Sequence, residues 1–342
     1  MEFSAKIYLQ YKSTIITMKT NTNFPFLSEI LIKMVVSLSL FFLFSSAVKA
    51  QVYNSCKGAN VIYKDEPKTE SKKSKTTIDC NGNPIENKED LSNQSVKVEV
   101  ESDRHGNAKG NQYDLAVDGA FEGQTIAVLH LYTGEGFDFS LPKAALKEKG
   151  FSVYRWIDNP PSPEELDKAL QKSCELWIIS DATQKLTEAH LKVIKKFFDA
   201  GHGVYIWGDN EPYYADANYV AQYLLGVQMS GNLPGQEVVG LNNKNENIGL
   251  TPGHLITTGL QYVYEGITIA TINNNTTLNP LIYGHEKNLV AATYERDGKR
   301  AILDGGFTRL YISWDAAGTG RYVKNAAAWL VNYERFGKSI GK

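Results

Sequence analysis

Residues 186–210 read LTEAHLKVIKKFFDAGHGVYIWGDN, and a change of period inside this stretch decides the fold. Its first part sets apolar residues at helical spacing, Leu191, Ile194, Phe197 and Phe198, with lysines between them. The pattern stops at Gly201, the residue type that most readily ends a helix. Residues 203–207 (GVYIW) are then apolar without alternation, which is how a strand buried on both faces reads. A helix, a brief link and a doubly buried strand make one unit of a layered α/β domain.

The neighbouring sequence repeats that unit. Apolar runs at 125–131 (TIAVLHL), 151–157 and 175–180 predict three further strands. A helix is expected over 143–149, and another opens at Ser162-Pro163-Glu164-Glu165. There Ser is placed to cap, Pro suits the first turn, and Glu follows three residues after the cap. A helix over 214–225 follows the 203–207 strand. Alternating elements with short links predict an α/β fold of three layers, a mostly parallel sheet with helices on both faces. The second half is less regular. Residues 231–253, rich in Gly and Asn, read as a long surface excursion. Strands are expected at 267–272, 289–295 and 300–303, with Arg296-Asp297-Gly298 turning between the last two, and a closing helix over 322–333.

The chain ahead of this domain differs in kind. Residues 34–48 (MVVSLSLFFLFSSAV) form an apolar run flanked by Lys33 and Lys49, shorter than the roughly 20 residues of a membrane span. Val48 and Ala50 are small residues at the positions signal peptidase prefers. Residues 1–50 are therefore expected to be a signal peptide, leaving no stable membrane span after cleavage and directing the chain to the extracellular space. Residues 51–120 are rich in Lys, Glu, Asp, Asn and Ser and read as a polar, largely disordered arm, with a short strand expected at 95–100. The α/β domain is expected over 121–342. Cys56 and Cys80 lie in the arm, where an oxidising compartment would let them close a loop, whereas Cys174 reads as a buried free thiol. Asn93, Asn274 and Asn275 head glycosylation sequons.

The composition, 42% hydrophobic and 22% charged, is that of a chain that buries a core. A net charge of -2, with no Lys/Arg cluster alternating with aromatics, argues against a nucleic-acid partner.

Three phrases, residues 198–208 (FDAGHGVYIWG), 253–259 (GHLITTG) and 298–306 (GKRAILDGG), in this order of elements, resemble the class I glutamine amidotransferase-like (flavodoxin-like) superfamily. The likeness covers residues 123–333 and is nearest to the non-catalytic relatives of trehalose-utilisation-type proteins. In catalytic members, the turn after the strand matching 203–207 is a nucleophile elbow that lifts a Cys or Ser beside oxyanion-binding amides. Here the turn reads Trp207-Gly208-Asp209-Asn210-Glu211, with neither. Cys174 and His202 both precede their strands and are expected at the opposite edge of the sheet. The resemblance thus implies a divergent member lacking the nucleophile.

Ligands of open parallel sheets sit beyond the carboxyl ends of the strands. Those ends supply Glu135 after the first strand and Asp181 after the third. Asp209, Asn210, Glu211 and Tyr213 follow the fourth, and Asp304 ends the strand before the closing helix. Hard oxygen donors from several loops, Asp181, Asp209 and Asp304 foremost, would suit Ca²⁺ or Mg²⁺, although Asp and Asn at such places also cap helices. No zinc spacing or EF-hand loop occurs. Aromatics at Trp207, Tyr213, Tyr214, Tyr219, Tyr311 and Trp314, mixed with Asp and Asn, are equipment for holding a sugar ring. Two functions are open on these residues. One is a secreted binding or matrix protein recognising a glycan, a cation or another protein. The other is a secreted hydrolase of a carbohydrate or ester, with Asp209 or Glu211 as general base.

Overall fold

The computed structural model describes residues 100–242, 247–273, 276–314 and 317–336, together with two short strands, β1 (Thr77–Ile78) and β2 (Pro84–Ile85), which pair antiparallel. The expected signal peptide, Cys56, Cys80 and the sequons at Asn93, Asn274 and Asn275 lie outside the described residues.

The alternating units form as the periodicities predict. Along the chain come β3 (Thr125–His130), α1 (Ser140–Glu148), β4 (Ser152–Ile157), α2 (Pro163–Leu170), β5 (Glu175–Ile179), α3 (Glu188–Asp199), β6 (Gly203–Trp207) and α4 (Ala215–Leu225). Ser162 caps α2 as its sequence predicts, its Oγ accepting from the Glu165 amide at 3.2 Å, a contact worth about 1 kcal/mol. Helix α1 starts earlier than residue 143, because Pro142 fits a first turn that has no amide partner to lose.

The second half contributes β7 (Gln228–Pro234), β8 (Val238–Gly240), β9 (Gly249–Leu250), β10 (Tyr262–Tyr264), β11 (Thr268–Asn273), β12 (Asn279–Tyr283), β13 (Leu289–Arg296) and β14 (Lys299–Asp304). Helices α5 (Thr319–Leu330) and α6 (Tyr333–Phe336) close the chain. Asp297 and Gly298 take positive φ, 53° and 68°, in the expected tight turn between β13 and β14. The surface excursion expected over 231–253 is corrected: β7 pairs with β11 and β8 with β10 in two small antiparallel sheets, and β9 joins the main sheet. Their pairings are to residues later in the chain, so no local period announces them.

The main sheet has eight strands in the order β4-β3-β5-β6-β14-β13-β12-β9. Strands β4, β3, β5, β6 and β14 run parallel, and β13, β12 and β9 continue antiparallel. One face packs α1 and α5 through Leu146, Tyr322, Ala326 and Leu330, and the other packs α2, α3 and α4 through Leu166, Ile194, Phe198 and Val220. The three-layer, mostly parallel arrangement is thus present. Among the described residues no helix is long and apolar enough to cross a membrane.

Residues 100–120, the end of the expected arm, are fixed to the domain by polar contacts together with Leu115 and Ala116, which pack against the core. The Asp114 side chain is buried and pairs with Lys149, Arg321 and Lys324 at 2.8–2.9 Å. Asn107 Oδ1 accepts from the amides of Gln261 and Tyr262, both at 2.8 Å, and Arg321 donates to the carbonyls of Ala108 and Gly110. Buried charges survive only when so paired.

Candidate functional site

The carboxyl ends of β3, β5, β6 and β14 lie along one edge of the sheet. The Ser180 amide donates to the Trp207 carbonyl, and the Gly208 amide donates to the Asp304 carbonyl at 2.9 Å. The Phe307 amide returns to the Gly208 carbonyl, so the turns after β6 and β14 are stitched together beyond the last ladder pair, Asp304 with Trp207. At Gly208 a Cβ would come within 2.6 Å of Met229 Sδ, so a side chain there would require that thioether to shift. Cys174 sits at the other edge, its amide bonded to the Thr125 carbonyl at the start of β3, and its free thiol is buried. His202, also at that edge, stacks between Phe197 and Phe336. The elbow position therefore carries neither Cys nor Ser, and Cys174 lies at the far edge of the sheet.

Asp209 occupies that position. Its amide closes the turn onto the Tyr213 carbonyl at 3.2 Å. The residue is 5% exposed, and its Oδ1 has no hydrogen-bond partner among the described residues. Burial pushes its pKa up to about 8, further raised by Asp304 and Glu135 and opposed by the Asn210 amide and the Arg309 charge. At neutral pH it is a carboxylic acid, which both donates and accepts.

Aromatic side chains cluster on the neighbouring loops, with Tyr132 and Tyr311 close enough to interact electrostatically with this acid. Tyr132 meets Tyr213 edge to face at 5.6 Å and Phe307 at 5.2 Å. Phe137 meets Phe307 at 4.8 Å and Tyr311 at 5.3 Å. Tyr311 donates its hydroxyl to Glu135 Oε2 at 3.1 Å. Burial, then the neighbouring Glu135, raises both phenols: Tyr132 to about 12, and Tyr311 well above its ordinary value. Gly134 lets the loop lie against Tyr132, whose hydroxyl a Cβ would meet at 2.6 Å. Deeper in, His130 ends β3 almost fully buried, its ring 4.9 Å from Phe137. Burial and the Arg155 charge lower its pKa to about 4. Arg155 can only donate to His130 Nδ1, at 3.0 Å, so the neutral ring carries its proton on Nε2, an atom without a partner.

Of the residues expected at the site, the structure gathers Asp209, Glu135 and Tyr213, and sends the others elsewhere. Asp181 receives the Ala182 amide on Oδ1 at 2.7 Å and pairs through Oδ2 with Lys185 at 3.0 Å. Although burial opposes the Lys185 charge, Asp158 and Asp181 raise its pKa. Asn210 accepts from Thr268 Oγ1 at 2.7 Å and donates to the Glu211 carbonyl. Glu211 is exposed and precedes Pro212 through a cis peptide. Asp304 is buried, accepting from Arg309 Nη1 at 2.9 Å, Tyr322 Oη at 2.8 Å, Tyr205 Oη at 3.3 Å and the Gly306 amide at 3.0 Å. The convergence of Asp181, Asp209 and Asp304 on Ca²⁺ or Mg²⁺ is corrected on this geometry. Two of the three already hold a cationic side chain, and the third keeps its proton. Among the described residues no group of three or more His, Cys, Asp or Glu side chains is arranged to hold a metal.

Tyr132, Phe137 and Phe307 are site residues that strand-end reading passed over. Tyr132 was detectable as the aromatic just beyond the β3 run. Phe137 and Phe307 arrive through loop conformation, which leaves no period in the sequence. Trp314, expected near this edge, instead lines a cavity of about 430 Å³ beside Arg321 and Lys324.

No protein-family model matches the chain, and no curated protein matches it. Among solved structures, a ThuA-like protein from Parabacteroides merdae is similar at a TM-score of 0.40 and 10% identity, over 61% of this chain and 90% of that one. The glutaminase domain of Trypanosoma brucei CTP synthase, with bound acivicin, is similar at a TM-score of 0.30 and 12% identity, over 60% and 94%. An exo-β-1,4-mannosidase from Opitutaceae bacterium strain TAV5 is similar at a TM-score of 0.35 and 11% identity, over 61% of this chain and 36% of the mannosidase. The chain thus spans about a third of the mannosidase's length, and the site must be read from its own residues.

Proposed function

We propose that the chain is a secreted extracellular binding protein, a divergent amidotransferase-like member without the nucleophile, whose Asp209 edge holds a neutral, hydroxyl-rich ligand such as a glycan. The observation that carries this reading is the buried, protonated Asp209 carboxyl with an unpartnered oxygen, near Tyr132, Tyr213 and Tyr311. Buried polar atoms without partners are rare, and an orphan among the strand-end loops is one that a ligand atom would satisfy once those loops admit it. A sugar hydroxyl both donates and accepts, as does a neutral carboxyl, and the faces of Tyr132, Tyr213 and Tyr311 suit the apolar face of a pyranose. The absence of thiol and hydroxyl at the elbow position counts against acyl transfer by the family route.

One observation favours a second reading, a secreted hydrolase of a carbohydrate or ester. A carboxyl that keeps its proton to about pH 8 is equipped as a general acid, with Glu135 rather than Glu211 as its carboxyl neighbour. Asp209 would then be the acid, not the base. A glycan array followed by titration calorimetry tests both readings. A neutral glycan should bind, Asp209→Ala should weaken it tenfold or more, and Asp209→Asn, which still donates and accepts, should bind within a few-fold. Turnover that Asp209→Asn abolishes would replace the binding reading with the hydrolase. Silence of every neutral glycan on the array would remove the binding reading.

A further inference from the structure

On the opposite face of the sheet from α1 and α5, a cavity of about 340 Å³ opens between α3, α4 and the start of β7. Tyr219 and Tyr223 stand one helical turn apart on α4, so their rings share a face, and Leu191 of α3 closes the floor at 2% exposure. Gln184, Gln222 and Gln228 supply the polar lining. No lining residue is ionised. The nearest lysine on α3, Lys192, is paired with Glu188 at 2.8 Å.

The walls are fixed before any ligand arrives. Asn218 donates to the Met229 carbonyl at 2.9 Å and accepts from the Met229 amide at 2.6 Å, which ties α4 to β7. Gln184 Nε2 donates to the Leu186 carbonyl at 3.0 Å, leaving its oxygen toward other donors. The side chains of Tyr219, Gln222 and Gln228 make no hydrogen bond to one another or to other described residues, and Gln222 and Gln228 are exposed, so their amides face solvent and can exchange water for a ligand.

We infer that this cavity is a binding site for a neutral saccharide ring, separate from the Asp209 edge. Its volume lies at the small end of ligand sites, suited to one ring rather than an extended chain. Amides present donors and acceptors together, as sugar hydroxyls require, and two phenol rings offer apolar faces. An anion would find no cation here and a metal no carboxylate. A purely apolar guest would strand the glutamine amides.

Residue-resolved NMR of the full-length chain tests the site, with methyl glycosides of neutral hexoses, neutral oligosaccharides and glucuronic acid as probes. A neutral sugar should shift the Tyr219, Gln222 and Gln228 signals saturably, and glucuronic acid should bind no more tightly. Saturation by the methyl glycosides assigns a free sugar as the source, and saturation by oligosaccharides alone assigns a glycan chain. Gln222→Ala, at an exposed position that does not threaten folding, and Tyr219→Phe should weaken binding tenfold and several-fold. Asp209→Ala should leave it unchanged, so this site and the strand-end edge fail or stand separately. Absence of any saturable shift at these residues, or full binding by Gln222→Ala, would overturn the inference.

Discussion

Asp209 and Asp304 follow or end adjacent strands of one sheet, yet the protein treats the two carboxyl groups in opposite ways. Asp304 lies beneath α5 with its charge met by Arg309 and its oxygens by two phenols and an amide. Asp209, in the turn after the adjacent strand, is nearly as buried and has an oxygen with no hydrogen-bond partner among the described residues. Burial alone therefore does not mark a structural residue. A carboxyl whose desolvation is offset by partners is part of the core, and one left unpaired is held there by the rest of the fold at a cost in stability.

That contrast can be broken by experiment. Arg309→Ala leaves the Asp304 charge buried and unpaired and should cost about 3–5 kcal/mol in urea denaturation. A loss below about 1 kcal/mol would show that Asp304 does not depend on its partner.

Asp209→Asn should act in the other direction. The Asp209 pKa is raised on folding from 3.8 to about 8, so the native state keeps a proton that the unfolded chain releases. Wild-type stability from this group is full below about pH 4 and declines as pH rises toward 8. The Asn variant should lack that decline and gain up to about 4 kcal/mol at pH 7. Denaturation midpoints compared at pH 5 and pH 8 check both the sign and the slope.

Smaller changes sharpen the comparison. Tyr322→Phe removes the 2.8 Å hydrogen bond to the buried Asp304 carboxylate, an interaction of about 1.5–3 kcal/mol when one partner is charged. Tyr311→Phe removes the corresponding bond to Glu135 at the exposed rim, where water takes over, and should change stability by no more than about 0.5 kcal/mol. Equal losses in the two phenylalanine variants, read by thermal unfolding, would erase the distinction between core and cleft.

Much of the fold was legible because its elements carry their own period. The 186–210 stretch shows an amphipathic helix stopping at a glycine and a strand apolar on every residue, and both stand within two residues of where they were read. The position of Asp209 at the carboxyl edge followed from chain direction alone. Its isolation did not. Nothing local distinguishes Asp209 from Asp181 or Asp304, and their partners Lys185 and Arg309 are selected by loop geometry. The small sheets of β7 with β11 and β8 with β10 were missed for the same reason: pairing between distant segments leaves no signature in either one.

The amino-acid sequence determined the alternation of strands and helices, the edge at which a site must lie, and the lack of Cys or Ser in the turn after β6. These follow from periodicity and chain direction, which act over a few residues. Only the tertiary structure decided which charges are neutralised. It drew Asp114 out of an apparently polar arm into a buried set with Lys149, Arg321 and Lys324, locked Asp304 onto Arg309, and left Asp209 with its proton. The reason is that desolvation and pairing depend on distances between residues far apart in the chain, and the fold alone sets those distances.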